Sequence, residues 1–178
     1  MKHSTITITG QLGSGKSTVA NMLATRLGWL YYSTGMAQRV IAQNRGITTT
    51  ELNRLAITDP SIDHEIDSVF KNPPWGEQPC VVDSRLAFYF LPQSLKVCLH
   101  VEPHIAAERV WAEKGRVSES YSNIQEAEVY LKKRMELEQT HFMKNYHLDI
   151  TDTRQFDLVI DTTCLIPEMV CEKILKSL

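Results

Sequence analysis

At 178 residues, 43% of them hydrophobic and 22% charged, the chain has the size and composition of one globular domain, able to bury a core without disulfide or metal staples. Its 19 basic and 21 acidic residues leave a formal net charge of −2, which excludes a nucleic-acid or acidic-membrane binder driven by bulk charge. No apolar run reaches the roughly 18 residues that a membrane-spanning helix needs. The charge is unevenly spread. The first fifty residues hold Lys2, Lys16, Arg26, Arg39 and Arg45 and no carboxylate, whereas the remaining 128 carry a net −7. The basic end reads as a local anion site. Cys80, Cys98, Cys164 and Cys171 form no CxxC pair, and the N-terminus alternates Thr with Ile where a signal peptide would be continuously apolar. Both features are expected of reduced thiols in a cytoplasmic protein.

In chain order, the β-branched alternation Thr5–Thr9 predicts a strand, and Val19, Met22, Leu23 and Leu27 fall at helical spacing up to a stop at Gly28. A short apolar run follows at Trp29–Tyr32. Short helices are expected over Gly35–Arg45, Thr50–Ile57 and Ser61–Lys71, the last broken by Asn72-Pro73-Pro74. Cys80–Asp83 and Leu95–Val101 read as buried strands. Pro103 suits the first turn of a helix running to about Lys114. After a polar stretch around Gly115–Asn123, a long helix is predicted from about Ser122 to Tyr146, opened by a Ser122–Gln125 capping box. Its apolar stripe comprises Ile124, Ala127, Leu131, Met135 and Phe142. A strand at Phe156–Asp161 and a helix from Pro167 complete the chain. Strands alternating with helices predict an α/β fold with a parallel sheet flanked by helices.

The stretch Gly10-Gln11-Leu12-Gly13-Ser14-Gly15-Lys16-Ser17, between a predicted strand and a predicted helix, fits the phosphate-loop pattern. Glycines let successive backbone N–H groups converge on phosphate oxygens, and the N-terminus of the next helix, from Lys16, Ser17 and Thr18 onward, adds a positive dipole end. Lys16 supplies a charge to the transferred phosphoryl group, and the Ser17 hydroxyl is a candidate Mg²⁺ ligand. These residues predict binding of nucleotide phosphates, and the loop alone specifies neither which nucleotide nor which reaction.

Three further segments carry a resemblance: Ser33-Thr34-Gly35-Met36-Ala37-Gln38-Arg39, Ile62-Asp63 with Ile66-Asp67, and Asp83-Ser84-Arg85-Leu86-Ala87. With Tyr146-x-x-Asp149-Ile150-x-Asp152 and Phe156–Thr162, they make the chain similar to the nucleoside monophosphate kinases from Ile6 to Thr162, and most closely to short cytidylate kinase-like proteins. The resemblance implies a P-loop NTPase-type core over residues 1–33, 78–112 and 155–178. It further implies acceptor-binding helices at about 34–77, and a lid with its long helix at about 113–146. Arg39 and Arg85 would bind the acceptor monophosphate, a task for which the bidentate guanidinium fork is suited. Ser33, Thr34, Gly35 and Asp63 would lie on the acceptor side. Asp83 would orient Mg²⁺-bound water or hold Arg85.

The lid departs from the family. Arg109 stands where an arginine meets the donor adenine, and Arg134 where a lid arginine meets the transferred phosphoryl group. Glu113 and His141 occupy two other positions where arginine is expected. Met36 stands where Asp is frequent, and Ser84 where Gly is usual. Arg134 and His141, seven residues apart, share one side of a helix, although Arg134 also has Glu138 one turn away as a surface partner. Lys114, Arg116 and Lys132 are candidate replacements for the missing charge. The leading expectation is ATP-dependent phosphorylation of CMP or dCMP by a monomer with no nucleic-acid or membrane partner. Two alternatives remain at this level: a nucleotide-binding module with weakened catalysis, and a kinase of a non-nucleotide small molecule.

Overall fold

The computed structural model describes residues 3–113 and 121–178. Its centre is a five-stranded parallel sheet in the order β2-β3-β1-β4-β5, formed by Thr5–Gly10 (β1), Leu30–Ser33 (β2), Cys80–Asp83 (β3), Leu95–His100 (β4) and Leu158–Asp161 (β5). The strand Leu30–Ser33, seen in the sequence only as an apolar run, is a fifth strand at the sheet edge. β3 is continuously buried, as a strand covered on both faces must be. In β1 the alternation has a different meaning from inside-outside. Ile6 and Ile8 enter the main core, while Thr7 and Thr9 are also buried and their hydroxyls are satisfied by the Ser94 hydroxyl at 3.0 Å and the Ser84 carbonyl at 3.0 Å.

On one face the core joins Ile6, Ile8, Val81, Val97 and Leu99 to Val19 and Leu23 of α1 (Lys16–Leu27) and to Val170 and Ile174 of α8 (Pro167–Leu175). Each such side chain contributes about 1.5–3 kcal/mol on full burial. Gly28 ends α1 in the left-handed conformation (φ 65°), the stop expected from its position. A separate small core, Ala42, Leu52, Ile62 and Ile66, unites α2 (Thr34–Asn44), α3 (Thr49–Ala56) and α4 (Pro60–Asp67) into one helical unit beside β2 and β3. Asp59 caps α4 by accepting from the Ser61 amide at 3.0 Å, with Pro60 at the first turn.

Downstream, α5 (Ala87–Phe90) is a single turn absent from the sequence-based expectation. Its start is held by the Ser84 hydroxyl, which accepts from the Leu86 and Ala87 amides at 3.2 Å each. α6 spans Pro103–Ala112, stopping short of Lys114. α7 spans Ile124–Tyr146, and its capping box is one residue later than predicted. Asn123 accepts from the Glu126 amide at 2.8 Å, and the Glu126 carboxylate accepts from the Ser122 amide at 2.8 Å. A charged acceptor displaces the neutral Gln125 from that role. The apolar stripe also changes character along α7. Ala127 is buried and Phe142 packs with Tyr146 against Leu86, Phe88 and Leu148, but Met135 faces solvent, and Arg134, Glu138 and His141 add ionic side chains to the inward side of the second half.

All five strands point the same way, so Gly10, Ser33, Asp83, His100 and Asp161 line one edge of the sheet. The chain leaves β1 through α1 toward β2 on one side, whereas β3 connects past β1 to β4 on the other, and this reversal opens a crevice at that edge. The loop after β1 rests on α6 at this crevice. Gly13, at φ +79°, would place a Cβ 2.6 Å from the Ala106 carbonyl oxygen, whereas Gly15, at φ +82°, has nothing within 4 Å of that position. Gly15→Ala should therefore cost only the left-handed backbone penalty of about 1–2 kcal/mol. Gly13→Ala should cost at least about 2 kcal/mol more, through overpacking against α6. Thermal unfolding of both variants without nucleotide checks the ranking, and equal losses would contradict it.

Candidate functional site

The site is organised by a carboxylate. Asp83, 4% exposed at the end of β3, accepts at one oxygen, Oδ2, from the hydroxyls of Ser17 (2.6 Å), Tyr31 (3.3 Å) and Ser33 (3.5 Å). The Thr34 hydroxyl donates to the Asp83 carbonyl at 3.5 Å. The start of the phosphate-loop helix, the edge strand β2 and the start of α2 are thus tied to one residue. Burial raises the Tyr31 pKa, and the negative charge of Asp83 raises it further, so this phenol stays a donor.

The phosphate loop is braced from three directions. The Gln11 side-chain amide donates to the Val101 carbonyl at 2.6 Å. Ser14 turns its hydroxyl inward to the Gln11 carbonyl at 2.7 Å. Thr162, following β5, donates to the Ser14 carbonyl at 3.1 Å. Arg109 of α6 donates to the Gly13 carbonyl at 3.2 Å and to the Thr162 and Thr163 carbonyls at 2.8 and 3.3 Å. Arg109 thereby spans the loop and the chain after β5. Lys16 and Ser17 begin α1 at the open crevice, with Gly15 as the residue before the helix.

The arginines converge. Arg85 donates to the Gly10 carbonyl and pairs with Glu138 of α7 at 3.2 Å. Glu138 pairs through its other oxygen with Arg134 Nε at 3.0 Å. The Arg134–Glu138 pair is therefore not a solvated surface contact but one arm of a bridge reaching Arg85 on the core. Arg85 thus turns to Glu138 and the Gly10 carbonyl, and not to Asp83, for which holding Arg85 was one of two expected roles. Burial opposes the Glu138 charge, but the Arg85 and Arg134 guanidinium groups, the Arg134 hydrogen bond and the Lys16 ammonium together hold its carboxyl below the usual range. Arg39 lies on the exposed side of α2, beside Gly35, and no carboxylate among the described residues forms an ion pair with it.

His141 takes a different place from the one considered for a phosphate-facing lid residue. Its Nε2 lies 2.9 Å from Asp63 of α4, which also accepts from the Asn145 amide at 3.0 Å. One turn along each helix, the Tyr146 hydroxyl donates to Asp67. These contacts join α4 to α7 beside a cleft of about 550 Å³ lined in part by Asp63, Asp67, Phe90 and Tyr146. Met36 is exposed, and Glu113 sits exposed at the end of α6. Lys114 and Arg116 lie outside the described residues, and Lys132 is exposed on α7. Trp75 packs on Tyr32 with ring centroids 5.1 Å apart, while Trp111 is exposed. All four cysteines are free thiols, and burial pushes that of Cys80 up to about 12.

A parallel sheet of this order, with a glycine-rich loop leading from β1 into α1, defines a P-loop NTPase-type fold. The shikimate kinase of Bacteroides thetaiotaomicron shares the fold, with a TM-score of 0.67, 97% of each chain covered and 14% sequence identity. The sequence gives the narrower assignment. Residues 5–164 match the cytidylate kinase-like family. The chain is 36% identical to a cytidylate kinase of Methanocella arvoryzae over 89% of this chain and 87% of that one. It is 32% identical to a cytidylate kinase of Archaeoglobus fulgidus over 97% and 93%. The chain belongs to the cytidylate kinase-like family and is a nucleoside monophosphate kinase. Membership favours this activity over the weakened binding module and the kinase of a non-nucleotide acceptor. Among the described residues no helix is long and apolar enough to cross a membrane.

The sequence-based reading missed the Tyr31 hydroxyl on Asp83, the Gln11 brace and the reach of Glu138 to Arg85. Only Glu138 left a local trace, its four-residue spacing from Arg134.

Burial pushes the Asp67 carboxyl up to about 6; the Tyr146 hydrogen bond opposes this, the charge of Asp63 adds to it, and His64 and His141 oppose it. A raised carboxyl pKa favours the fold in acid. Its contribution is complete below the unfolded value near 4 and is lost as pH rises through about 6. Relative to the wild type, Asp67→Asn should gain stability on the order of 1 kcal/mol between pH 4.5 and pH 7.5, discounted for partial exposure. Urea unfolding at the two pH values measures the difference, and a constant offset would contradict the assignment.

Proposed function

We propose that this kinase transfers the γ-phosphoryl group of ATP to CMP or dCMP, and that the residues converging at the sheet edge carry the reaction. The supporting observation is that Arg85 from the core and Arg134 from the α7 segment meet at one carboxylate, with Lys16 of the phosphate loop close enough to stabilise its charge. Donor-side and acceptor-side cations thus surround one small volume.

In this reading Gly10, Gln11, Leu12, Gly13, Ser14 and Gly15 present backbone N–H groups to the ATP phosphates, helped by Lys16, Ser17 and Thr18 at the α1 terminus. Arg109, fixed between Gly13 and Thr162, lies beside the donor base. Arg39 and Arg85 hold the acceptor phosphate, while Ser33, Thr34, Gly35 and Asp63 flank it. Asp83 acts mainly through Ser17. The Ser17 hydroxyl and Asp83 carboxylate, 2.6 Å apart, form a hard-oxygen pair that fits Mg²⁺. Bound there, Mg²⁺ would supply charge neutralisation to the β- and γ-phosphates.

Chemically, the bond from the γ-phosphorus to the β,γ-bridging oxygen breaks, and a bond to an oxygen of the acceptor phosphate forms. The products are ADP and the nucleoside diphosphate. The acceptor phosphate is largely a dianion at neutral pH, because its second pKa is about 6. No general base is required, and the chain's task is alignment and charge stabilisation by Lys16, Arg85 and Arg134. The proposed division of labour assigns residues 1–33, 78–112 and 155–178 to the core, about 34–77 to acceptor binding and about 113–146 to the lid. A monomer acting in the cytoplasm is part of the same reading.

Coupled ADP release with a panel of nucleoside monophosphates should show turnover with a preference for CMP and dCMP. Equal and negligible rates across the panel would overturn the proposal. Arg85→Ala should raise KM for the monophosphate by about 10- to 100-fold, as loss of a charge-assisted bidentate contact implies.

A further inference from the structure

Glu138 is the residue whose position the reaction scheme does not explain. An acid four residues from an arginine on a helix ordinarily makes a solvated pair contributing a few tenths of a kcal/mol. Here the side chains of Arg85, Arg134 and Glu138 are 21%, 30% and 20% exposed, and Arg85 approaches from a different part of the chain. The two carboxylate oxygens are divided between the two guanidinium groups, Oε2 to Arg85 Nη2 at 3.2 Å and Oε1 to Arg134 Nε at 3.0 Å. Arg85 is anchored at its other terminal nitrogen to the Gly10 carbonyl, at the mouth of the phosphate loop. The carboxylate therefore occupies a point where cations from the loop, the core and α7 converge. Three such cations with no anion between them would repel one another in a partly desolvated cleft.

We propose that Glu138 is a positioning residue that stands in for a phosphoryl group: in the ligand-free protein its carboxylate holds Arg85 and Arg134 in place, and it yields the guanidinium donors to nucleotide phosphates as they bind. The inference rests on the kinase reading and adds a specific trade to it. The negative charge weakens phosphate binding, because every incoming anion competes with an internal one. In return the two arginines are already directed toward the transfer point, which favours the transition state over the bound ground state. Charge and reach are separable. Gln keeps the shape and removes the charge, whereas Asp keeps the charge and shortens the arm by one methylene.

The test compares wild type, Glu138→Gln and Glu138→Asp by calorimetric titration with tripolyphosphate and CMP, and by steady-state turnover with ATP and CMP. Glu138→Gln should bind tripolyphosphate and CMP at least about 3-fold more tightly and turn over about 10-fold or more slowly, a split of binding from kcat that general loss of structure does not produce. Glu138→Asp should lose turnover without gaining affinity for tripolyphosphate. Weakened binding in Glu138→Gln, or unchanged binding and turnover, would overturn the proposal. If Glu138→Gln does not fold, Glu138→Asp decides alone, and wild-type turnover in that variant would overturn it. Tripolyphosphate binding is read without an acceptor or turnover, so an inert wild-type protein would count against the kinase reading separately.

Discussion

A single oxygen of Asp83 is the constraint on which the rest of the structure depends. Parallel register sets Ser33 and Ile8 on either side of Asp83 at the C-terminal edge, so a carboxylate there reaches β2 on one side and, on the other, the helix that follows β1. The residue is almost fully buried, and its Oδ2 accepts from three hydroxyls. Removing a carboxylate from water is costly unless hydrogen bonds replace the lost hydration; the short bond from Ser17 is of the kind that contributes about 1.5–3 kcal/mol, and the longer contacts from Tyr31 and Ser33 contribute less. Satisfying Asp83 therefore requires that α1, β2 and the start of α2 assemble around it. The phosphate loop and the helices on the proposed acceptor side acquire a common origin.

The second organising feature is the long helix α7. Its first half packs through Ile124, Ala127 and Leu131, as an amphipathic helix should, and its second half turns ionic side chains to the same side. Glu138 engages Arg85, and His141 with Asn145 engages Asp63. The net charge of the C-terminal 128 residues gains a structural meaning from these pairings. Among the described residues, Arg85 and Arg134, which this segment brings to the crevice, share the Glu138 carboxylate. His141 is likewise engaged, its imidazole bonded to Asp63 of α4.

Much of this was legible in the sequence because it is encoded locally. The phosphate loop needs glycines at fixed positions between a strand and a helix, and β3 and β4 are apolar runs of the right length. Features that escaped depend on distant partners or on close competition between neighbours. β2 is a four-residue edge strand with Leu30 exposed, too short and too open to show a period. α5 is a single turn whose start is fixed by Ser84, a residue that looked only like a substituted glycine. Two overlapping capping boxes competed at α7, and the charged Glu126 prevailed over Gln125. Spacing shows only the Arg134 arm of Glu138, since Arg85 and, for His141, Asp63 are brought in by topology.

The central claim is that donor and acceptor phosphates are bound at once around the Lys16, Arg85 and Arg134 cluster, close enough for direct transfer. A bisubstrate ligand, adenosine and cytidine joined through a chain of five phosphates, measures this most directly by calorimetry. Two linked sites at suitable separation should raise affinity by about 100-fold or more over ATP or CMP alone. Binding no tighter than that of ATP would show that the two sites are not joined in this way and would contradict the account.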